Sequence, residues 1–254
     1  MVAPTNDIIF RFRKVTLNYG GDDVVREVDL EVRRGETKII LGPSGVGKST
    51  ILKAMLGLLR PKGGEIYFHG REISKLGERE LVKIRLRMAM VFQGSALFDS
   101  MTVEENVSFR LREHHMKSEE ESAGRVEEVL NFVGLKTALK LRPAQLSGGM
   151  KKRVAIARAL APDPEVFLFD EPTTGLDPIN TFNVEQLILK LKKRPGTSLV
   201  IVTHDVGSAS RLADSILLLH EGKFIFEGTA EALRQSSDRR IQMFIDPSKQ
   251  GVGG

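Results

Sequence analysis

Two stretches of this sequence are built to hold phosphate. The first is GPSGVGKST at residues 42–50, which fits G-x-x-x-x-G-K-[ST] at Gly42, Gly47, Lys48 and Ser49. Glycines in that pattern let backbone N–H groups wrap a β-phosphate. Lys48 reaches the β and γ oxygens, and the Ser49 hydroxyl ligates Mg²⁺. The whole loop is expected to touch nucleotide: Gly42, Pro43, Ser44, Gly45, Val46, Gly47, Lys48, Ser49 and Thr50. The second stretch is LSGGM at residues 146–150. Ser147 can cap a helix there, while Gly148 and Gly149 leave N–H groups open to an anion. One chain thus carries two phosphate-binding helix starts.

Four further positions carry chemistry. In VFLFDEPTTGLDP, Asp170 and Glu171 stand just past a short apolar strand. Carboxylates at that edge face the crevice where ligands bind in open α/β sheets. Asp170 is expected to hold Mg²⁺ through water, and Glu171 to accept a proton from an attacking water. His204, in IVTHDV, ends the next apolar strand and would contact the γ-phosphate and that water. Gln93, in VFQGSALF, can ligate Mg²⁺ or orient water from a hinge. Tyr19, in NYG, offers a ring that could stack on adenine.

The elements that must position these residues are legible from periodicity. IIFRFRKVTLNY and VVREVDLEV alternate apolar with polar and predict antiparallel strands. TKIILG is a strand running into the first loop, and KSTILKAMLGLL follows it as a helix. EIYFHG and MAMVFQ predict two more strands. From about residue 94 the pattern turns helical, in VEENVSFRLREHH, EEESAGRVEEVLNFVG and the Ser147 helix. Strands return in VFLFD, SLVIVTH, SILLLH and KFIFEG, with the helix INTFNVEQLILKLKK after the first. The expected fold is α/β: a P-loop, RecA-like core with an antiparallel β edge and an inserted α-helical subdomain. Residues 1–93 and 165–254 would form the core, and 94–164 the helical subdomain. No internal repeat is visible, so one cassette is expected. The tail DPSKQGVGG is Gly-rich and reads as mobile.

Composition narrows the class. At 41% hydrophobic and 28% charged, the 254 residues are those of a globular chain and not of a disordered one. Cysteine is absent, which removes disulfides and thiolate-ligated metals. No apolar run approaches the ~20 residues of a membrane span, and the first residues do not read as a secretory signal. A soluble, cytoplasmic chain is expected. The net charge of +5 is spread along the sequence and reads mainly as solvated surface. His114 and His115 lie in an acidic helical stretch and read as surface, not metal ligands. The acidic run at residues 119–121 reads as a solvated helix start.

Taken in order, Tyr19, residues 42–50, Gln93, residues 146–150, residues 166–171, residues 175–177 and His204 resemble the motif series of an ABC-transporter ATPase subunit. They look like its A-loop, Walker A, Q-loop, signature, Walker B, D-loop and H-switch. The resemblance covers nearly the whole chain. A finer likeness is to the ATPases of Mce/Mla-type lipid transporters, the MlaF-like group. It rests on VFQGSALFDSMTVEENVSF, on IQMFIDP, and on Met150 where most ABC ATPases carry Gln.

The resemblance implies ATP and Mg²⁺ as cofactors and a head-to-tail homodimer. Ser147, Gly148 and Gly149 of one copy would meet the γ-phosphate held by Lys48 of the other, with Asp177 along the same seam. Two such sites follow from two-fold symmetry, and closure is linked to ATP occupancy. An isolated monomer should then bind ATP but barely hydrolyse it. The implied function is an ATPase driving permease subunits, moving phospholipids between membranes of the cell envelope. Mce-domain and accessory lipid-transport proteins are the implied partners, at the cytoplasmic face of the inner membrane. Leu97, Phe98 and Met101 would line a groove that receives short helices of the membrane subunits. An importer for amino acids or metals is the alternative within the family. An ABC-type ATPase acting on nucleic acid is the alternative outside it. Such relatives usually carry a long coiled-coil insert or two cassettes, whereas 98 positions separate Ser49 from Ser147 here. Nucleic acid is therefore not expected as a partner.

Overall fold

The computed structural model describes residues 7–246 and 248. In chain order come β1 (Ile8–Leu17), β2 (Val25–Arg33), β3 (Thr37–Leu41), α1 (Lys48–Met55), β4 (Gly63–Phe68), β5 (Arg71–Glu72) and α2 (Glu78–Arg85). Next are β6 (Met88–Val91), α3 (Val103–Glu113), α4 (Glu119–Phe132), α5 (Gly148–Leu160), β7 (Val166–Asp170) and α6 (Pro178–Lys192). The remaining elements are β8 (Ser198–Thr203), α7 (Val206–Leu212), β9 (Ser215–His220), β10 (Lys223–Gly228), α8 (Ala230–Gln235) and α9 (Arg239–Ile245). They group into two compact units. The described residues of Met1–Arg85 and Pro195–Gly254 form the first, and Leu86–Arg194 the second.

The first unit contains an antiparallel sheet in the order β2-β1-β4-β5. Its alternation is that of a sheet with one buried face: Phe10, Phe12, Val15 and Leu17 of β1 are buried, while Arg13 and Lys14 between them are exposed. The Phe10 ring meets Phe68 of β4 at 4.9 Å between centroids. A second row of strands runs β10-β9-β3-β8. Here β3 is parallel to both β8 and β9, and β10 returns antiparallel to β9. Every residue of β3 and β8 is buried, as expected for parallel strands covered on both faces. The two-residue turn into β10 uses Glu221 and Gly222, both at positive φ, which suits a tight hairpin. Helix α1 packs on β1 and β8, and α7 packs on β3.

The second unit pairs β6 with β7 in parallel and is otherwise helical. Helix α5 is its hub, packing on α3, α4, α6 and β6. Both α3 and α4 start with a capping box, Thr102 with Glu105 and Ser118 with Glu121. The acidic run at 119–121 is thus the exposed first turn of α4, where carboxylates suit the helix dipole. Val126, Val129, Leu130 and Val133 form the buried side of that helix region.

Several details differ from the sequence reading. Strand β6 stops at Val91, so Gln93 sits in the loop beyond it instead of at the strand's last position. His114 caps the end of α3 and His115 follows at φ 49°, outside any helix. Helices α2, α7, α8 and α9 were not anticipated. Each has eight residues or fewer, too short for a clear helical period, and α2 buries only Leu81 and Ile84. The tail beyond Asp246, read as mobile, lies outside the described residues except for Ser248.

Candidate active site

The first unit builds a phosphate loop from its backbone. Strand β3 delivers the chain to Gly42, and α1 starts at Lys48. Two of the glycines are required by close approach. A Cβ on Gly42 would sit 2.6 Å from the Leu219 carbonyl oxygen. Gly47 is at φ 110°, and a Cβ there would lie 2.7 Å from Val24 Cγ1. Pro43, Ser44 and Gly45 are exposed at the mouth of the loop, and Val46 and Ser49 are half-buried. Lys48 is only 6% exposed. Its Nζ donates to the carbonyls of Gly42 at 2.9 Å and Pro43 at 3.0 Å. The ammonium is therefore held inside the loop, where an incoming phosphate would meet it.

Around that loop the first unit adds two of the expected side chains. Strands β3 and β8 are in register with Leu41 opposite Thr203. Gly42 and His204 thus leave neighbouring strands at the same level, and His204 is exposed there. The turn holding His204 is fixed by Asp205, whose carboxylate accepts from Gly207 N at 2.8 Å and Ser208 N at 3.2 Å to cap α7. Tyr19 is 59% exposed. Its hydroxyl donates to Thr50 Oγ1 at 3.3 Å, which ties the ring to the loop's last residue. The Lys53 ammonium stands 5.4 Å from the ring centroid.

The second unit collects the other set. Val91 pairs with Phe169, so Gln93 and the Asp170–Glu171 pair emerge at the carboxyl ends of adjacent parallel strands. Asp170 is half-buried and Glu171 is 7% exposed. Glu171 adopts φ 46°, a strained position for a side chain with a Cβ. Its Oε2 accepts from the Thr174 hydroxyl at 2.9 Å, which aims the carboxylate.

Helix α5 opens with the signature. Ser147 caps it, its Oγ accepting from Met150 N at 3.2 Å, and Ser147 and Gly148 are exposed. Gly149 is buried against α6: a Cβ would fall 2.1 Å from Asn180 Oδ1. Asn180 in turn donates through Nδ2 to Asp177 Oδ2 at 2.5 Å, and Asp177 caps α6 by accepting from Asn180 N at 2.9 Å. These bonds from Asn180 hold the Asp177 carboxyl below its usual pKa. The signature glycine and Asp177 are thus linked through one amide that sequence reasoning did not single out. Gly149→Ala is expected to cut ATP turnover at least about tenfold by forcing this contact apart. Adding Asn180→Ala should recover part of the loss, which steady-state phosphate release will measure.

Two cations on α5 were also missed. Lys152 is 5% exposed and its Nζ donates to the carbonyl of Gln93, in a short contact, and to that of Glu171 at 3.4 Å. Burial lowers its pKa, opposed by the carboxylates of Asp170 and Glu171. The Arg158 guanidinium donates to Ser95 O at 2.8 Å and Ala96 O at 2.6 Å. Ser95 and Ala96 are both at positive φ, so Arg158 braces a strained loop. Neither cation belongs to a motif spacing, and only the fold brings them to these carbonyls. Of the three expected groove residues, Phe98 lines an open groove of about 510 Å³ together with Phe92, Phe109, Arg110 and His114. Leu97 and Met101 are half-buried beside it.

A phosphate loop, a strand-end carboxylate pair and a capped signature helix define an ATP-binding cassette. The ABC transporter family model matches residues 25–174, and the chain belongs to that family. It is an ATP-hydrolysing subunit with a P-loop NTPase fold. One relative is the intermembrane phospholipid transport system ATP-binding protein MlaF of Haemophilus influenzae, 39% identical over 97% of this chain and 93% of its own. The Escherichia coli K12 MlaF is 39% identical over 94% of this chain and 89% of its own. Among solved structures, a dimeric ATP-binding cassette in a post-hydrolysis state with ADP and Pi superposes with a TM-score of 0.80 at 35% identity, covering 87% of this chain and 98% of that one. No helix of the described residues is long and apolar enough to cross a membrane.

Proposed function

We propose that two copies of this chain close on two ATP molecules and drive permease subunits that move phospholipids between membranes of the cell envelope. The observation that carries the lipid assignment is 39% identity, along nearly the whole chain, with proteins named for intermembrane phospholipid transport. Met150 in the signature agrees with it. A Met there supplies no amide hydrogen bond, so phosphate contact rests on Ser147 and the backbone of Gly148 and Gly149.

The residues fit the cofactors. The Lys48 ammonium, held inside the loop by the Gly42 and Pro43 carbonyls at the start of α1, suits an anionic phosphate received by backbone N–H groups. Ser49, Gln93 and Asp170 supply a hydroxyl, an amide oxygen and a carboxylate, the hard oxygen donors that Mg²⁺ prefers. When bound, Mg²⁺ would neutralise charge on the β and γ oxygens. Lys48 would bind the same oxygens, Tyr19 would stack on adenine, and Glu171 would take the proton of the attacking water. His204 would hold that water and the γ-phosphate. Ser147, Gly148, Gly149 and Asp177 would act on the ATP of the partner copy.

In this reading residues 1–93 with 165–254 serve as the nucleotide-binding core and 94–164 as the subdomain that carries the signature. The chain would sit at the cytoplasmic face of the inner membrane, held by its permease. Copurification from detergent-solubilised membranes, with partners identified by mass, tests the assignment. A permease together with an Mce-domain protein is the expected result. An amino-acid or metal permease would overturn the lipid reading and keep the cassette.

A further inference from the structure

We infer that Lys152 is a positioning residue for hydrolysis, clamping the backbones of Gln93 and Glu171 into one unit with the signature helix. The inference rests on the reading of Glu171 as the base and Gln93 as a metal or water ligand. Lys152 belongs to α5, five positions after the signature's Ser147. A lysine there is costly. It is 5% exposed, and burying an ammonium is tolerated only when its donors are used. Its Nζ donates to the Gln93 carbonyl and, at 3.4 Å, to the Glu171 carbonyl. Those two residues lie beyond the ends of β6 and β7, past the last ladder pair Val91–Phe169, where the sheet no longer ties one backbone to the other. Lys152 supplies that tie, and both of its hydrogen bonds go to backbone carbonyls.

The backbone it grips is strained. Glu171 is at φ 46°, and Ser95 and Ala96, two and three residues after Gln93, are at φ 64° and 48°. Such conformations persist only where surrounding contacts over-determine them. Arg158, nearly two turns further along α5, holds the Ser95 and Ala96 carbonyls. Helix α5 thus holds the Gln93, Ser95 and Ala96 carbonyls after β6 and the Glu171 carbonyl after β7. A shift of α5 would move the backbone of the base and of the Gln93 loop together with the signature.

The test uses the full chain with its copurified partners. Lys152→Met keeps an unbranched side chain, one heavy atom shorter, and removes every donor. It is expected to lower kcat about 10- to 100-fold while the KM for ATP changes less than about twofold, the signature of an interaction needed for the chemical step. Lys152→Gln, one bond shorter but still an N–H donor, should recover at least about fivefold of that loss. Thermal melting of each variant, with and without ATP, accompanies the kinetics. Wild-type kcat in the Met variant would overturn the proposal. So would a Gln variant no better than Met, or a loss in which KM and the ATP-induced melting shift fail in step with kcat. Glu171→Gln, assayed alongside, keeps the two readings apart. Normal turnover in that variant removes Glu171 as the base whatever Lys152 does.

Discussion

Glu171→Gln is expected to stop turnover while leaving ATP bound. The substitution conserves shape, and the Thr174 hydroxyl that now donates to Oε2 can donate to the new amide oxygen instead. What disappears is the ability to accept a proton from water. A positioned general base contributes typically about 10²–10⁴ in rate, so phosphate release should fall by at least about 10². With the γ-phosphate bridge intact, the ATP-bound dimer should accumulate, since a ligand that bridges two copies favours their association. Gel filtration with Mg–ATP will detect it. Wild-type phosphate release from this variant would mean that Glu171 is not the base.

Lys48→Ala should have an effect of similar size for a different reason. The Lys48 ammonium is nearly buried and held by the Gly42 and Pro43 carbonyls, so its position is set before nucleotide arrives. Hydrogen bonds to charged groups are worth roughly 1.5–3 kcal/mol each. Losing two of them to phosphate oxygens weakens ATP binding by about 10² or more. The variant also leaves two carbonyls of the loop without their partner, so turnover should fall below detection even at saturating ATP. Titration with a fluorescent ATP analogue measures the first effect, and phosphate release the second.

Much of this was legible in the sequence because the relevant constraints are local. The phosphate loop needs glycines at fixed offsets, and Gly42 and Gly47 are glycines for the steric reasons the structure displays. The capping of α5 by Ser147 and of α6 by Asp177 follows from residue type and the helical run that comes after. Long buried strands such as β8 announce themselves as apolar runs. What the sequence concealed are contacts between distant segments. Lys152 lies 59 positions from Gln93, Arg158 lies 63 from Ser95, and both read as ordinary surface cations on an amphipathic helix. Asn180 reads as any polar residue in a first turn, and only the fold sets it against Gly149. The short helices α7 to α9 escaped because propensity over seven residues or fewer is a weak signal.

The central claim is that each ATP is completed by the signature of a second copy. Mixing two inactive variants tests it most directly. Lys48→Ala lacks the lysine proposed to hold ATP. Gly148→Asp places a carboxylate at the exposed start of α5, where it would repel a γ-phosphate but leave the fold intact, since a Cβ there meets only Leu176 at 3.7 Å. A mixed dimer contains one site in which both halves are wild type. Equal mixing should therefore restore phosphate release to about a quarter of the wild-type rate, because half the dimers are mixed and each has one of two sites intact. A mixture as inactive as either variant alone would contradict the shared site.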